Sequence, residues 1–236
     1  MSDGWDQSAE AWIASLGEEG DFGRRYVLDG PMMARVVALG PVVALDVGCG
    51  EGRFCRILQA LGVATVGVDP TVALIDHARA LDPAGDYRVG GAEALDLADG
   101  EFDLVVSYLS LIDIPDIRAA IPEMARVLKP GGTLLIANST SFNTAGLGEG
   151  LGKSYDAGGR FRYAIDAYLE ERAYWTAWKG IRIINHHRPL ETYMSLLLAA
   201  GLTLTHFAEP APTGGDPATV DRYRRAPWFH VMEWRK

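Results

Sequence analysis

A short glycine loop and two aspartates have the residue types and the spacing to bind a small nucleoside. Residues 48–52 read Gly-Cys-Gly-Glu-Gly and follow an apolar run of strand length, with Asp46 just before them. A second apolar run leads directly to Asp69. Bare glycine backbone lets a ligand approach closely, and an acid after the next strand can accept hydrogen bonds from both hydroxyls of a ribose. The pattern predicts a nucleoside at the carboxyl edge of a parallel sheet.

The glycine spacing favours one kind of nucleoside cofactor. A dinucleotide fingerprint has its third glycine three residues after the second, and here Arg53 occupies that position. The acidic Asp46 also suits a cofactor that carries an amine rather than a pyrophosphate. A nicotinamide-dependent oxidoreductase on a similar fold is therefore the weaker alternative.

Together these residues resemble the class I S-adenosylmethionine-dependent methyltransferases, and the resemblance covers roughly residues 25–236. It implies S-adenosylmethionine as the cofactor, with the glycine loop at its methionine part and Asp69 at its ribose. It also implies an enzyme that transfers a methyl group to oxygen or nitrogen of a small-molecule acceptor. A glycine turn with only a packing role and a non-catalytic S-adenosylmethionine-binding module remain alternatives.

The resemblance extends to further cofactor contacts. Ala92 and Glu93 are expected at the adenine, although Glu93 could instead be a solvated residue at a helix start. Residues 107–109 end the fourth predicted strand and are expected beneath the sulfonium. Tyr26 would close over the methionine end, with Arg25 at the cofactor carboxylate, unless both are surface helix residues. The expected cofactor-binding residues are Tyr26, Asp46, Gly48, Cys49, Gly50, Gly52, Asp69, Pro70, Ala92, Glu93, Ser107, Tyr108 and Leu109.

Alternating strands and helices surround the glycine loop and would position it. The predicted strands are 42–47, 64–68, 86–89, 102–107, 133–138, 203–208 and 228–234. The predicted helices are 5–16, one opened by Pro31 and ending near residue 40, 53–61, 71–81, 116–128 and 189–200. Residues 129–132 are expected to turn the chain, and 210–217 to form a loop. This α/β order predicts a Rossmann-like, seven-stranded, mostly parallel sheet with a C-terminal antiparallel hairpin and helices on both faces.

The chain reads as a single domain, residues 1–236, with two additions. Residues 1–40 would form a helical cover, and residues 139–188 a lid that binds the acceptor, since long insertions in compact domains are often binding loops. The insertion is rich in aromatic residues, among them Tyr155 and Trp175, which are candidate acceptor contacts. Aromatics at such spacing are also common in a plain core.

A histidine pair at the end of the insertion is the candidate for acid–base chemistry. His187 could take a proton from a hydroxyl or amine nucleophile, because its ordinary pKa is close to neutrality. A similar His-Arg-Pro-Leu segment occurs in related small-molecule methyltransferases, and His186 is a candidate substrate contact. Alternatively, His187 and Arg188 anchor the lid by hydrogen bonds.

Composition limits the partners. The net charge is −9 and the pI is about 5.0, which argues against a nucleic-acid partner. Two cysteines make a disulfide framework or zinc site improbable, and the region after the fifth strand lacks the acids of metal-dependent relatives. The N-terminus does not resemble a signal peptide, and no apolar run approaches the roughly 20 residues of a membrane span. We expect a cytoplasmic monomer or homodimer without a metal.

Overall fold

The computed structural model describes residues 3–17, 19–146 and 153–236. Between residues 43 and 139 its strands and helices alternate as the sequence predicts, with β4 following β3 directly. The helices are α1 (Trp5–Leu16), α2 (Asp29–Leu39), α3 (Arg53–Ala60), α4 (Val72–Leu81), α5 (Ile117–Val127), α6 (Ser141–Ala145), α7 (Leu190–Ala199) and α8 (Pro217–Arg224). The strands are β1 (Val43–Val47), β2 (Ala64–Asp69), β3 (Asp86–Val89), β4 (Phe102–Tyr108), β5 (Leu128–Ser139), β6 (Lys153–Tyr155), β7 (Phe161–Tyr163), β8 (Arg172–Trp178), β9 (Ile181–His187), β10 (Thr203–Ala208) and β11 (Phe229–Arg235).

A seven-stranded sheet in the order β10-β11-β5-β4-β1-β2-β3 forms the centre of the molecule. Strands β1 to β5 run parallel, whereas β11 runs antiparallel to both β5 and β10. The predicted fold class, with its antiparallel hairpin at the sheet edge, is confirmed. The strand order proceeds outward from β1 in both directions, so the connections after β1 and β4 leave a crevice at their carboxyl ends. Open α/β sheets bind ligands at such a crevice.

Both faces of the sheet are buried. Leu45 and Val105 pack on one face with residues of α5 and α7, and Ala44 and Leu104 pack on the other with residues of α2 and α3. Neighbouring residues of a strand point to opposite faces, so strands covered on both sides are apolar throughout. This double burial fixes the register of β1 and β4, and with it the position of the loops that follow them.

Two helix starts differ from the prediction. A π-helical segment, Arg24–Leu28, continues directly into α2, which begins at Asp29 rather than at Pro31. The backbone is already helical through residues 24–28 before it reaches Pro31, so Pro31 does not mark the beginning of the helix. Helix α8 is absent from the predicted elements, although Asp216 caps it by accepting a hydrogen bond from the Thr219 N–H.

None of the helices in the described ranges is long and apolar enough to cross a membrane.

Strand β5 is longer than predicted. It includes residues 129–132, which the sequence assigns to a turn. The register of β5 against β4 shifts between Phe102 and Leu104, and Gly131 has a φ of 78°. A bulge therefore accommodates the glycines within the strand instead of ending it.

The insertion contains α6 and two antiparallel hairpins, β6–β7 and β8–β9. Strand β9 lies against α1, where the Ser8 hydroxyl donates to the Arg182 carbonyl at 3.1 Å and accepts from the Arg182 N–H at 2.9 Å. The N-terminal helix and the insertion are thus joined to each other. The role of residues 139–188 as a lid, and of residues 1–40 as a cover, stays a prediction.

Candidate active site

A cavity of about 290 Å³ lies at the carboxyl ends of β1, β2 and β4. The loops after these strands form its floor, and α1 contributes a wall through Trp12. Asp46, Gly50, Asp69 and Asp113 also line it. The residues that the sequence singles out at the ends of β1 and β2 therefore meet in one space.

The first two glycines of the loop serve different purposes. Gly48 has a φ of 74°, and a Cβ atom there would overlap the Cβ of Ser110. Gly50 has a φ of 55°, but its nearest neighbour would be Trp12 Nε1 at 3.8 Å. Gly48 is therefore required by packing, whereas Gly50 leaves space inside the cavity. Gly52 does not line the cavity. A Cβ atom added to Gly52 would lie 2.5 Å from a ring carbon of Tyr87, so packing also requires glycine here.

The Asp69 carboxylate is held in place from both sides. Its Oδ2 accepts a hydrogen bond from the Gly50 N–H at 2.9 Å, and its Oδ1 accepts one from the Thr71 N–H at 2.8 Å. Burial raises the pKa of Asp69, and these N–H groups oppose that shift. Each carboxylate oxygen can accept a second hydrogen bond. The arrangement leaves capacity for two ligand hydroxyls.

Asp46 is a buried carboxylate with unused hydrogen-bonding capacity. It is 2% exposed and lines the cavity. The Cys55 thiol donates to its Oδ2 at 3.6 Å, and its Oδ1 has no hydrogen-bond partner among the described residues. Burial, reinforced by the nearby Asp69 carboxylate, raises the pKa of Asp46 to about 7. A positively charged ligand group would relieve this unfavourable burial.

Several other predicted contacts reach the same cavity. Pro70 lines it after β2, and Ala92 and Glu93 line it after β3. Cys49 lines it within the glycine loop, where its backbone N–H donates to the Val68 carbonyl at 3.1 Å. These residues stand at the strand ends where the sequence places the nucleoside.

The end of β4 contributes two of its three predicted residues. Tyr108 and Leu109 line the cavity. The Tyr108 hydroxyl donates to Asp29 Oδ1 at 2.8 Å, and Leu109 has a φ of 61° that is rare for a residue with a side chain. Ser107 is fully buried and is not a lining residue; its hydroxyl lies 2.7 Å from that of Ser110. Ser107 thus contacts the loop after β4 through Ser110 without lining the cavity.

The expected aromatic cover is provided by different residues. Tyr26 does not line the cavity and packs on Phe22 with ring centroids 5.2 Å apart, while Arg25 is exposed. Arg24 and Trp12 line it instead, with the Arg24 guanidinium 4.9 Å from the Trp12 ring. A π-helical turn contains more residues than an α-helical turn, which changes the residue that faces inward. The helical spacing of α1 was the signal for Trp12.

One carboxylate, at the end of the cavity nearest the insertion, is absent from the site residues predicted from the sequence. Asp113 lines the cavity in the loop after β4, and the Asn185 side-chain N–H donates to its Oδ1. Burial raises the pKa of Asp113 well above its ordinary value. The available signal was an acid enclosed by Ile112 and Ile114 in an otherwise apolar stretch after a strand.

His187 lies outside this cavity. It is fully buried, with Nδ1 2.7 Å from the Thr144 hydroxyl and Nε2 2.8 Å from the Tyr168 carbonyl. Burial lowers its pKa. Because both ring nitrogens are engaged, these contacts agree with the anchoring alternative. The role of His187 as a base stays a prediction.

The residues beside His187 hold the loop after β4. The Arg188 guanidinium, 3% exposed, donates to the carbonyls of Leu111 at 3.1 Å, Ile114 at 2.7 Å and Pro115 at 2.9 Å. The His186 backbone N–H adds a bond to the Ile112 carbonyl at 2.8 Å. The His186 side chain lines a separate depression rather than the cavity. The segment therefore positions the wall that contains Asp113.

Trp175, one of the two aromatic acceptor candidates, is not among the residues that line the cavity. Trp175 is 41% exposed, and the Arg182 guanidinium stacks 3.9 Å from its ring centroid. The side chain of Tyr155 lies outside the described residues. Among the described residues, no cluster of His, Cys, Asp and Glu is arranged to hold a metal ion.

Comparisons with known sequences identify relatives of the central part of the chain. A family model described as "Methyltransferase domain" matches residues 45–136. The malonyl-[acyl-carrier protein] O-methyltransferase of Yersinia pestis is 34% identical over 119 residues, which are 49% of this chain and 45% of that protein. A ubiquinone biosynthesis O-methyltransferase of Chelativorans sp. is 37% identical over 97 residues, 39% of this chain and 38% of that protein. The chain thus spans less than half the length of these curated relatives.

A solved structure extends the likeness to nearly the whole chain. An S-adenosylmethionine-dependent methyltransferase from Mesorhizobium loti superimposes with a TM-score of 0.79 at 27% sequence identity. The superposition covers 93% of this chain and 100% of the other. The similarity therefore continues beyond residues 45–136.

Proposed function

Because the chain belongs to the class I S-adenosylmethionine-dependent methyltransferases, we propose that it transfers the methyl group of S-adenosylmethionine to oxygen or nitrogen of a small-molecule acceptor. The observation that carries this proposal is one cavity with three features. Gly50 leaves space, Asp69 is a fixed carboxylate, and Asp46 has a buried oxygen without a partner. The space at Gly50 would admit the methionine part of the cofactor, Asp69 would accept hydrogen bonds from its ribose hydroxyls, and Asp46 would face its ammonium group.

The described residues fit S-adenosylmethionine. Asp69 would hold the ribose hydroxyls, and charge-assisted bonds of this kind contribute about 1.5–3 kcal/mol each. Asp46 would face the ammonium group, which compensates its buried charge. Pro70, Ala92 and Glu93 would surround the adenine at the ends of β2 and β3.

The chain itself contributes mainly positioning and exclusion of water. S-adenosylmethionine supplies a methyl group on positively charged sulfur, open to in-line displacement by a nucleophile. Trp12 and Arg24 cover the cavity from the N-terminal side, and the Arg188 contacts fix the loop after β4. Correct orientation in an enclosed site lowers the barrier of such a reaction.

A small acceptor suits the surroundings of the cavity. Helix α1, which lines it through Trp12, is hydrogen-bonded to the β8–β9 hairpin, and the net charge of −9 disfavours nucleic acid. The two curated relatives are named as O-methyltransferases, which supports oxygen as one acceptor atom. We keep nitrogen as the other, because Asp113 provides a proton acceptor at the lid end.

Two measurements test the proposal. Calorimetry with S-adenosylmethionine and, separately, with NAD should give heat only for the former. Incubation with methyl-tritiated S-adenosylmethionine and a panel of phenols, alcohols and amines should then give a labelled product. Cofactor binding without transfer to any acceptor would favour the non-catalytic module. Binding of NAD alone would favour the oxidoreductase.

A further inference from the structure

The loop after β4 presents Asp113 to the cavity from a fixed position. The Asp113 N–H donates to the Ser110 carbonyl at 2.9 Å, which closes a turn directly after the strand. Asn185 of β9 donates to Asp113 Oδ1. Oδ2 has no hydrogen-bond partner among the described residues. One carboxylate oxygen is therefore anchored, and the other remains available at a cavity wall.

The insertion supplies the groups around this carboxylate. Tyr174 lies opposite Asn185 in the β8–β9 hairpin, and its hydroxyl is buried without a hydrogen-bond partner in the described part of the chain. Burial and the nearby Asp113 carboxylate raise the pKa of that hydroxyl. The Tyr174 hydroxyl thus lies near enough to Asp113 to be affected by its charge, and no described hydrogen bond joins the two groups. Buried polar groups are rarely left in this state unless a ligand or water completes them.

The charge of the cavity selects the kind of ligand. Its lining carboxylates are those of Asp3, Asp46, Glu51, Asp69, Glu93 and Asp113. Its lining guanidinium groups belong to Arg24 and Arg53, and each is paired with an acid outside the lining, at 2.6 Å from Asp21 and Asp29 respectively. Glu51 is likewise paired, with Arg56 at 2.6 Å, whereas the other five lining carboxyl groups form no ion pair among the described residues. The lining is therefore acidic. It attracts a cation and repels an acceptor that carries a carboxylate.

We propose that the acceptor is an amine and that Asp113 Oδ2 receives its N–H hydrogen bond at the lid end of the cavity. This inference rests on the proposed methyl transfer and narrows its acceptor. The amine enters as an ammonium ion, drawn by the acidic lining, and transfers one proton to the Asp113 carboxylate, which Asn185 keeps oriented. The lone pair of the neutral amine then forms the N–CH₃ bond while the S–CH₃ bond breaks and that electron pair stays on sulfur. The products are the methylated ammonium ion and neutral S-adenosylhomocysteine.

The test uses three probes with the same ring and different charge: benzylamine, benzyl alcohol and benzoate. Calorimetry on the complex with S-adenosylhomocysteine should show benzylamine binding at least tenfold more tightly than the other two. The Asp113→Asn variant should lose this preference and slow methyl transfer to benzylamine by about 100-fold or more, the range of general-base effects. Its affinity for S-adenosylmethionine should stay within twofold of the parent.

The matched control is Asp116→Asn, which removes the same charge three residues later. Asp116 caps α5 outside the cavity, and asparagine is an equally good cap. The Asp116→Asn variant should behave as the parent. The Asp113→Glu variant, which keeps the charge, should keep the amine preference. Together the two variants distinguish loss of the Asp113 charge from misfolding. A preference for benzyl alcohol or benzoate, or no preference, overturns the proposal, as does an Asp113→Asn variant that retains it. A parent protein that binds no S-adenosylmethionine would instead defeat the proposed function itself.

Discussion

At the ends of β1 and β2, the cavity wall is held by contacts between residues close in sequence, whereas at the end of β4 it is held by contacts across the chain. Asp69 is fixed by the N–H groups of Thr71, two residues away, and Gly50, 19 residues away. Asp113 is fixed by the side chain of Asn185, 72 residues later. The proposed cofactor end of the cavity is thus determined by one βαβ unit, and the proposed acceptor end, at Asp113, by the insertion.

This difference separates two functions. Backbone N–H groups and glycines form the proposed cofactor end, and their positions depend little on the surrounding side chains. The side chains of Asn185 in β9 and of Arg188 directly after it hold the proposed acceptor end, where Arg188 alone donates to three carbonyls of the loop after β4. A change in the insertion should alter acceptor selection while leaving cofactor affinity intact.

The largest expected effect lies at the cofactor end. Asp69→Ala should weaken S-adenosylmethionine binding by about 100-fold or more, or roughly 3 kcal/mol, because it removes the ribose acceptor and leaves the Gly50 N–H unpartnered. Calorimetry measures the change. Asp86→Ala is the matched control, since Asp86 lies at the amino end of β3 and pairs with Arg88 at the surface. Equal affinities for the two variants would contradict the assignment of the ribose to Asp69.

Two glycine variants should separate packing from ligand space within that end. Gly48→Ala should lower the free energy of unfolding by about 2–5 kcal/mol, because its φ is positive and its Cβ would overlap Ser110. Gly50→Ala should cost about 1 kcal/mol in stability yet weaken cofactor binding at least tenfold. Urea unfolding and calorimetry give the two values. Normal cofactor affinity in Gly50→Ala would show that the ligand does not approach this residue.

The same contrast explains what the sequence could and could not predict. Apolar periodicity and glycine spacing are local, so they were sufficient for the mostly parallel sheet, the edge hairpin and the strand ends that carry Asp46 and Asp69. Asp113 has no motif, and its partner Asn185 is known only once the insertion folds. The π-helical segment 24–28 was equally hidden, because no residue pattern in it marks the added backbone length that points Arg24 inward.

At the acceptor end, His187→Gln distinguishes a base from an anchor. A base predicts loss of most turnover with normal cofactor binding. The contacts of His187 with Thr144 and Tyr168 lead us to expect a lower free energy of unfolding, by about 1–3 kcal/mol, with turnover per folded molecule retained. Thr144→Val, which removes only the Nδ1 partner, should give a smaller loss of the same kind. Unchanged turnover in His187→Gln would remove the assignment as a base.

The smallest expected effect is a pH dependence of cofactor affinity, which depends on Asp46. Burial raises the pKa of Asp46 to about 7, so below that pH the carboxyl is protonated and must lose its proton before it can face an ammonium group. Affinity for S-adenosylmethionine should therefore rise between pH 5.5 and 7.5, by at most tenfold per pH unit, and then level off. The unliganded protein should change in the opposite sense: a folded-state pKa above the unfolded value stabilises at low pH, and that stabilisation is lost as pH rises through 7. Asp46→Asn should flatten the affinity profile while Asp113→Asn leaves that profile in place, and a pH dependence of affinity that survives in Asp46→Asn would assign the ammonium group to another carboxylate.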